Sequence, residues 1–223
     1  MLDEPDIAKD LLYQNLKELD IINKYLGGHA VSLKGIRKII NGNKGPFTVA
    51  DIGCGGGDSL KAIAEWAYNN STNVQLIGID LKEDCIEYAK AACKGLPNIT
   101  FQCDDFKNTF TEQNKPGIVH ASLFFHHFTE DDIVAFLKAC SSNKAITVIN
   151  DLERHPVAYY SIKYLTRIFS KSPLVKNDAP LSVLRGFKKR EWVKMVEQAG
   201  ITNYSVTNCW AFRHLIIAYP NGY

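Results

Sequence analysis

The chain has 223 residues, of which 46% are apolar and 22% charged, with a formal net charge of +2. Those proportions exclude a disordered or low-complexity chain and suit one domain, 1–223, with a three-layer core. No apolar run approaches a membrane span, residues 1–10 (MLDEPDIAKD) lack the order of a signal peptide, and the six Cys show neither zinc nor disulfide spacing, so a reducing, cytoplasmic setting is expected.

The small net charge conceals an asymmetry. Residues 154–194 carry ten Lys or Arg against Asp178 and Glu191, a local balance of +8 that leaves −6 elsewhere. Two readings stand: a solvated helical face, or a surface that meets an anionic substrate, an acidic carrier protein or a membrane. The segment lacks the interleaved aromatic and basic residues of a nucleic-acid binder, so no nucleic-acid partner is expected.

In chain order, Leu12, Leu16, Leu19, Ile22 and Leu26 recur at helical spacing and predict a helix over 8–26, stopped by Gly27 and Gly28. A second helix is expected from Ser32 to Ile40, closed by the turn-rich NGNKGP; together residues 1–44 form an N-terminal helical cap. From 45 to 155 the pattern alternates. Strand FTVADI (47–52) precedes a helix at 57–68, strand 74–79 a helix at 83–93, strand 99–103 the strand 118–125, and a helix at 130–140 the strand 145–150. Near-continuous apolar strands separated by helices predict a doubly wound, Rossmann-like α/β sheet covered on both faces. Residues 156–186 interrupt this rhythm with a helix from Pro156 to about Ser170 and an irregular stretch bounded by Pro173 and Pro180, read as a lid whose Tyr159, Tyr160, Tyr164, Phe169 and Leu174 would line a pocket. A helix at 187–199 and two strands at 202–208 and 212–219 complete the chain. The connection between those strands is too short for a parallel crossover, so they are antiparallel. Trp210 and Phe212 at their tip are a candidate interface, and oligomeric state is otherwise open.

The run VADIGCGGGDSL (49–60) places Asp51, Gly53, Gly55 and Gly57 on alternate residues after the first strand. Such a loop turns sharply and presents backbone N–H groups to a nucleotide cofactor. A dinucleotide fingerprint requires a small residue where the helix packs on the strand; counting from Gly53 that position is Asp58, and counting from Gly55 it is Leu60. Asp51 would repel a pyrophosphate but attract a cationic ammonium or sulfonium. Asp80, at the end of the second strand, is placed for both ribose hydroxyls, and the CDDF run at 103–106 offers a carboxylate and an aromatic ring to an adenine.

These motifs resemble those of the class I S-adenosylmethionine-dependent methyltransferases over about residues 45–219. The run from Asp51 to Gly57 looks like their first motif, IGIDLKEDCIEYAK their acidic second-strand motif and CDDF their third-strand motif, although Gly117 stands where an acid is usual. The resemblance implies a seven-stranded sheet of order 3-2-1-4-5-7-6 with strand seven antiparallel. It also implies an S-adenosyl-L-methionine site, with S-adenosyl-L-homocysteine as product, at Asp51, Gly53, Cys54, Gly55, Gly57, Asp80, Leu81, Asp104, Asp105, Phe106 and Ser122, Asp105 being a better match to the adenine contact than Asp104.

Ligands of an open α/β sheet lie beyond the carboxyl ends of its strands, which singles out His126 and Asp151 as candidate general bases. No metal is expected, since Asn150 and Asp151 alone make a poor magnesium set. The ELDIINKYLGGH, NDLERH and DAPLSVLRGF segments resemble those of quinone-biosynthesis and polyketide-tailoring methyltransferases, and this resemblance implies O- or C-methylation of a small aromatic, quinone-like or polyketide-like acceptor. The alternatives are a catalytically inactive cofactor-binding scaffold and an NAD(P)-dependent oxidoreductase.

Overall fold

The structure, a computed structural model, describes residues 7–111 and 115–222. Residues 1–6, part of the run 1–10 on which the signal-peptide reading rests, lie outside the described residues.

Helices α1 (Lys9–Tyr25) and α2 (Gly28–Ile40) precede β1 (Phe47–Ile52), α3 (Asp58–Asn69), β2 (Val74–Asp80), α4 (Glu83–Ala92) and β3 (Ile99–Cys103). Then come β4 (Ile118–Ser122), α5 (Glu130–Ser142), β5 (Ile146–Leu152), α6 (Pro156–Phe169), α7 (Pro173–Arg185), α8 (Lys189–Gln198), β6 (Tyr204–Cys209) and β7 (Arg213–Ala218). The seven strands form one sheet in the order 3-2-1-4-5-7-6, with β7 antiparallel to β5 and β6. The expected fold class is therefore the observed one.

Strand alternation sends successive side chains into two cores. On one face Val148, Leu215 and Ile217 pack with Val31, Ile36 and Ile40 of α2 and Leu60 and Ile63 of α3. On the other, Ile149 and Ile216 pack with Ile133 and Leu137 of α5 and with Trp192 and Met195 of α8. Gly35 lets α2 lie close on the sheet, for a Cβ there would meet Val148 Cγ1 at 2.5 Å.

Several boundaries differ from the sequence expectation. Gly28 opens α2 rather than ending α1, because Gly27 turns the chain with φ 74° and two residues, Leu26 and Gly27, suffice between the two helices. β4 stops at Ser122, where Leu123 takes a left-handed φ of 53°, and residues 125–127 form a 3₁₀ turn. The stretch after Pro173 is helical: Pro173 occupies the first helical position, where its missing N–H costs nothing, and Ser172 caps the helix by accepting from Val175 N. Pro180 is buried inside α7.

Candidate active site

The glycine loop is built by its neighbours as much as by its own sequence. Gly53, Gly55 and Gly57 hold φ of 62°, 51° and 75°. At Gly53 the constraint is double, because a Cβ would lie 2.1 Å from the Phe124 ring. Phe124 in turn meets Phe106 edge to face at 5.3 Å, and Phe106 meets Phe128 at 5.0 Å. This aromatic cluster fixes the third- and fourth-strand loops against the glycines.

Asp80 is half-buried and oriented by backbone: its Oδ2 accepts from Gly55 N at 2.9 Å and its Oδ1 from Lys82 N at 3.0 Å. Burial pushes its carboxyl above the ordinary range, with the two backbone N–H groups opposing. Asp105 caps the short turn 106–108 by accepting from Lys107 N and is half-buried, whereas Asp104 is exposed and accepts from Asn108 Nδ2. Cys54 is buried, its N–H donating to Ile79 O.

These groups surround a cavity of about 450 Å³. All eleven residues expected to bind cofactor are in its wall except Gly57, which is buried under the loop against Ala89, Cys93 and Phe101. Five Asp (51, 58, 80, 104 and 105) line it against Lys82 and Lys107. A negatively charged wall around a glycine cradle suits a cationic sulfonium with an ammonium group and disfavours a pyrophosphate. Helix α1 closes the cavity with Leu12, Leu16, Leu19 and Asn23.

Sequence reasoning missed the buried polar chain beneath this cradle. His120 Nδ1 lies 2.6 Å from Asp51 Oδ1, and its Nε2 lies 2.9 Å from Ser32 Oγ. Asn150 Nδ2 donates to Ser32 Oγ at 3.0 Å and to Gly28 O at 2.9 Å, while its Oδ1 accepts from Arg213. Arg213 also donates to Asn23 Oδ1 at 2.8 Å, and Asn23 donates to Asp58 Oδ2 at 2.8 Å. The donors and acceptors fit one direction: Ser32 gives its proton to His120 Nε2, and His120 gives its Nδ1 proton to Asp51. Asp51, though raised by burial, is drawn back towards the charged form by His120. Burial pushes Arg213 down to about 10, leaving it charged at neutral pH. The signal that could have found this chain is the presence of His120, Asn150 and Arg213 inside otherwise apolar strands, since a buried polar group requires partners.

His29 Nε2 lies 2.9 Å from Asp58 Oδ2 and 3.5 Å from Asp20. Among the described residues these three are the one close set of metal-ligand type. Hydrogen bonding to His29 and Asn23 holds Asp58 below the ordinary carboxylate range against the opposing effect of burial.

The structure brings the two candidate bases together. Asp151 lies inside β5 rather than after it, because the strand continues to Leu152 by pairing Asp151 with His214 and Leu152 with Arg213 of β7. Its Oδ1 accepts from His126 Nδ1 at 2.8 Å and from Leu152 N at 2.8 Å, and its Oδ2 from His126 N at 3.1 Å. These contacts keep Asp151 below the ordinary range despite complete burial. His126 lines a second chamber of about 590 Å³, walled mainly by apolar side chains of α1, α6, α7 and the β6–β7 turn. The chambers share Leu19, Leu123 and His127.

None of Tyr159, Tyr160, Tyr164, Phe169 and Leu174, expected to line a pocket, is in the wall of this second chamber. Tyr160, Tyr164 and Phe169 are 55%, 60% and 77% exposed, and α6 instead presents Ala158, Ile162 and Leu165 to the chamber. Both sides of α6 are apolar, so spacing alone does not choose the inward one.

Residues 49–143 match the protein family described as "Methyltransferase domain". No curated protein matches the chain in sequence. Among solved structures, a Nostoc punctiforme protein described as a candidate O-methyltransferase is similar at 15% identity and a TM-score of 0.62, over 92% of this chain and 60% of that one. Human N-acetylserotonin methyltransferase, solved with S-adenosylmethionine, is 13% identical with a TM-score of 0.67 over 96% of this chain and 56% of its own. The chain thus spans less than two thirds of either. An S-adenosylmethionine-dependent methyltransferase from Aquifex aeolicus is 18% identical with a TM-score of 0.63, over 96% of this chain and 98% of that one. Residues 49–143 thus match a methyltransferase domain, and the whole chain has the fold of these solved methyltransferases, with the sheet order that the sequence motifs implied.

Proposed function

We propose that the protein methylates a hydroxyl oxygen of a small, largely apolar aromatic acceptor held in the second chamber, with His126 as general base and Asp151 positioning it. The observation that carries this reading is the His126–Asp151 pair in the wall of a chamber contiguous with the cofactor cavity. The same pair favours an active enzyme over a cofactor-binding scaffold, and the acidic wall favours it over a dinucleotide oxidoreductase.

In this reading Asp80 holds the ribose hydroxyls, while Asp105, Phe106 and Leu81 hold the adenine, with Asp104 as the alternative carboxylate to Asp105. The loop from Asp51 to Gly57, with Cys54 and Ser122, receives the methionine end. S-adenosylmethionine, when bound, supplies an electrophilic methyl group on a sulfonium whose departure leaves neutral S-adenosylhomocysteine. For transfer along the sulfur–carbon axis, the protein's task is alignment and proton removal. Asp151 fixes the Nδ1–H tautomer of His126, which leaves Nε2, with no hydrogen bond among the described residues, as the proton acceptor. The hydroxyl proton passes to Nε2 as the oxygen–carbon bond forms. Leu123 and His127, shared by both chambers, set the distance between donor and acceptor.

The test is production of S-adenosylhomocysteine from S-adenosylmethionine across a panel of phenols, hydroquinones and carboxylic acids. Phenol turnover that His126→Ala lowers at least a hundredfold, with S-adenosylhomocysteine binding unchanged, is the expected result. Turnover untouched by that change overturns the assignment of the base, and cofactor binding with no turnover on any acceptor favours the scaffold.

A further inference from the structure

Helix α6 has an outer face that no described element covers. Val157, Tyr160, Tyr164 and Ile168 are 54%, 55%, 60% and 72% exposed. At 3.6 residues per turn they fall on one stripe. Lys163 and Arg167, both exposed, border one side of it. From residue 154 to 177 the sequence holds five Lys or Arg and no Asp or Glu. Glu18 of α1, at the C-terminal end of α6, is tied down by Ser170 and by the backbone N–H groups of Lys171 and Ser172.

On its other side the stripe borders an opening. A cavity of about 680 Å³ lies between α1 and α6, lined by Ile21, Tyr25, Leu165 and Phe169 among others, with Lys17 and Lys171 also in its wall. It shares Ile22, Leu26, Ile162 and Leu165 with the second chamber. Tyr25 and Phe169 are each 77% exposed beside the stripe.

We propose that this face of α6 docks on an anionic lipid bilayer. A stripe of aliphatic and aromatic side chains beside a row of cations, on a helix too short and too charged to span, is the pattern of a helix that lies in the interfacial plane. The cations complement anionic headgroups, and the tyrosines suit the boundary between headgroup and acyl chain. Docked this way, the α1–α6 opening lies against the bilayer, and an apolar molecule dissolved there passes to the second chamber without crossing water. The surface does not depend on which atom the enzyme methylates.

The intact protein is sedimented with phosphatidylcholine vesicles, with and without phosphatidylglycerol. Binding is expected only with phosphatidylglycerol, and rising salt should weaken it. Lys163→Glu with Arg167→Glu should weaken it about tenfold or more, and Tyr164→Ser with Ile168→Ser should do likewise. Both pairs should keep the wild-type melting temperature and S-adenosylhomocysteine affinity. Should a variant unfold, the wild-type comparison of the two vesicle types and its salt dependence still decide. Absence of binding, equal binding to both vesicle types, or binding that both pairs leave intact overturns the proposal. So does a dimer in solution that Ile168→Glu splits, because the stripe is then a protein interface. Turnover of a soluble phenol, measured alongside, reports separately on the proposed reaction.

Discussion

Replacing Asp151 by Asn changes one atom in a place where three donors already point. Oδ1 accepts from His126 Nδ1 and Leu152 N, and Oδ2 accepts from His126 N. If the new amide nitrogen takes the Oδ2 position, two N–H groups face each other and the His126 backbone must move. If it takes the Oδ1 position it confronts Leu152 N and forces Nδ1 to accept, which puts the proton on Nε2, where the substrate's proton should go. The first orientation displaces the base and the second removes it. General-base catalysis contributes about 10²- to 10⁴-fold, so kcat should fall about 10²- to 10³-fold, corresponding to about 3–4 kcal/mol on the barrier. Affinity for S-adenosylhomocysteine should stay within threefold, since Asp151 is absent from the wall of the cofactor cavity. The assay is S-adenosylhomocysteine release at saturating acceptor across pH, paired with calorimetric binding. A variant that binds cofactor normally and turns over within threefold of wild type refutes the reasoning.

Asp80→Ala should weaken S-adenosylhomocysteine about 10- to 100-fold by calorimetry, the range for losing hydrogen bonds to a charged group. Gly53→Ala should lower the melting temperature by about 4–8 °C, from a left-handed penalty of about 1–2 kcal/mol and displacement of Phe124, at about 2–4 °C per kcal/mol; an unchanged melting curve would show that the ring moves freely. His120→Leu strands the buried Asp51 carboxylate and should cost about 3–5 kcal/mol in urea unfolding, most of it recovered by adding Asp51→Asn. Asp58 and Asp151 both titrate below the ordinary carboxylate range in the folded protein. Their stabilisation is complete above the unfolded value of about 4 and is lost as pH falls through the lower folded values. Asp58→Asn should flatten that acid limb in a urea-midpoint series, and an unchanged slope counts against the His29 and Asn23 contacts.

That the glycine loop, Asp80 and Asp105 surround one cavity was legible in the sequence, because each follows directly from a strand end. The terminal hairpin was legible from the short connection between its two strands. The polar chain was not, because Ser32 meets His120 across 88 positions and Asn23 meets Arg213 across 190. His126 and Asp151 were each visible as residues near a strand end, but their partnership depends on β5 continuing to Leu152, which the pairing with β7 decides. The inward face of α6 was misread for a related reason: its two sides are similarly apolar, and only the packing of α1 and α7 distinguishes them.

Helix α1 puts Leu19 into both chambers and Asn23 into the hydrogen bonds that tie Arg213 to Asp58. Under the proposed function the same helix walls both cofactor and acceptor, so a displacement of α1 would open both compartments at once. Loosening its tie at Asn23 would then alter turnover from a position distant from the reacting atoms.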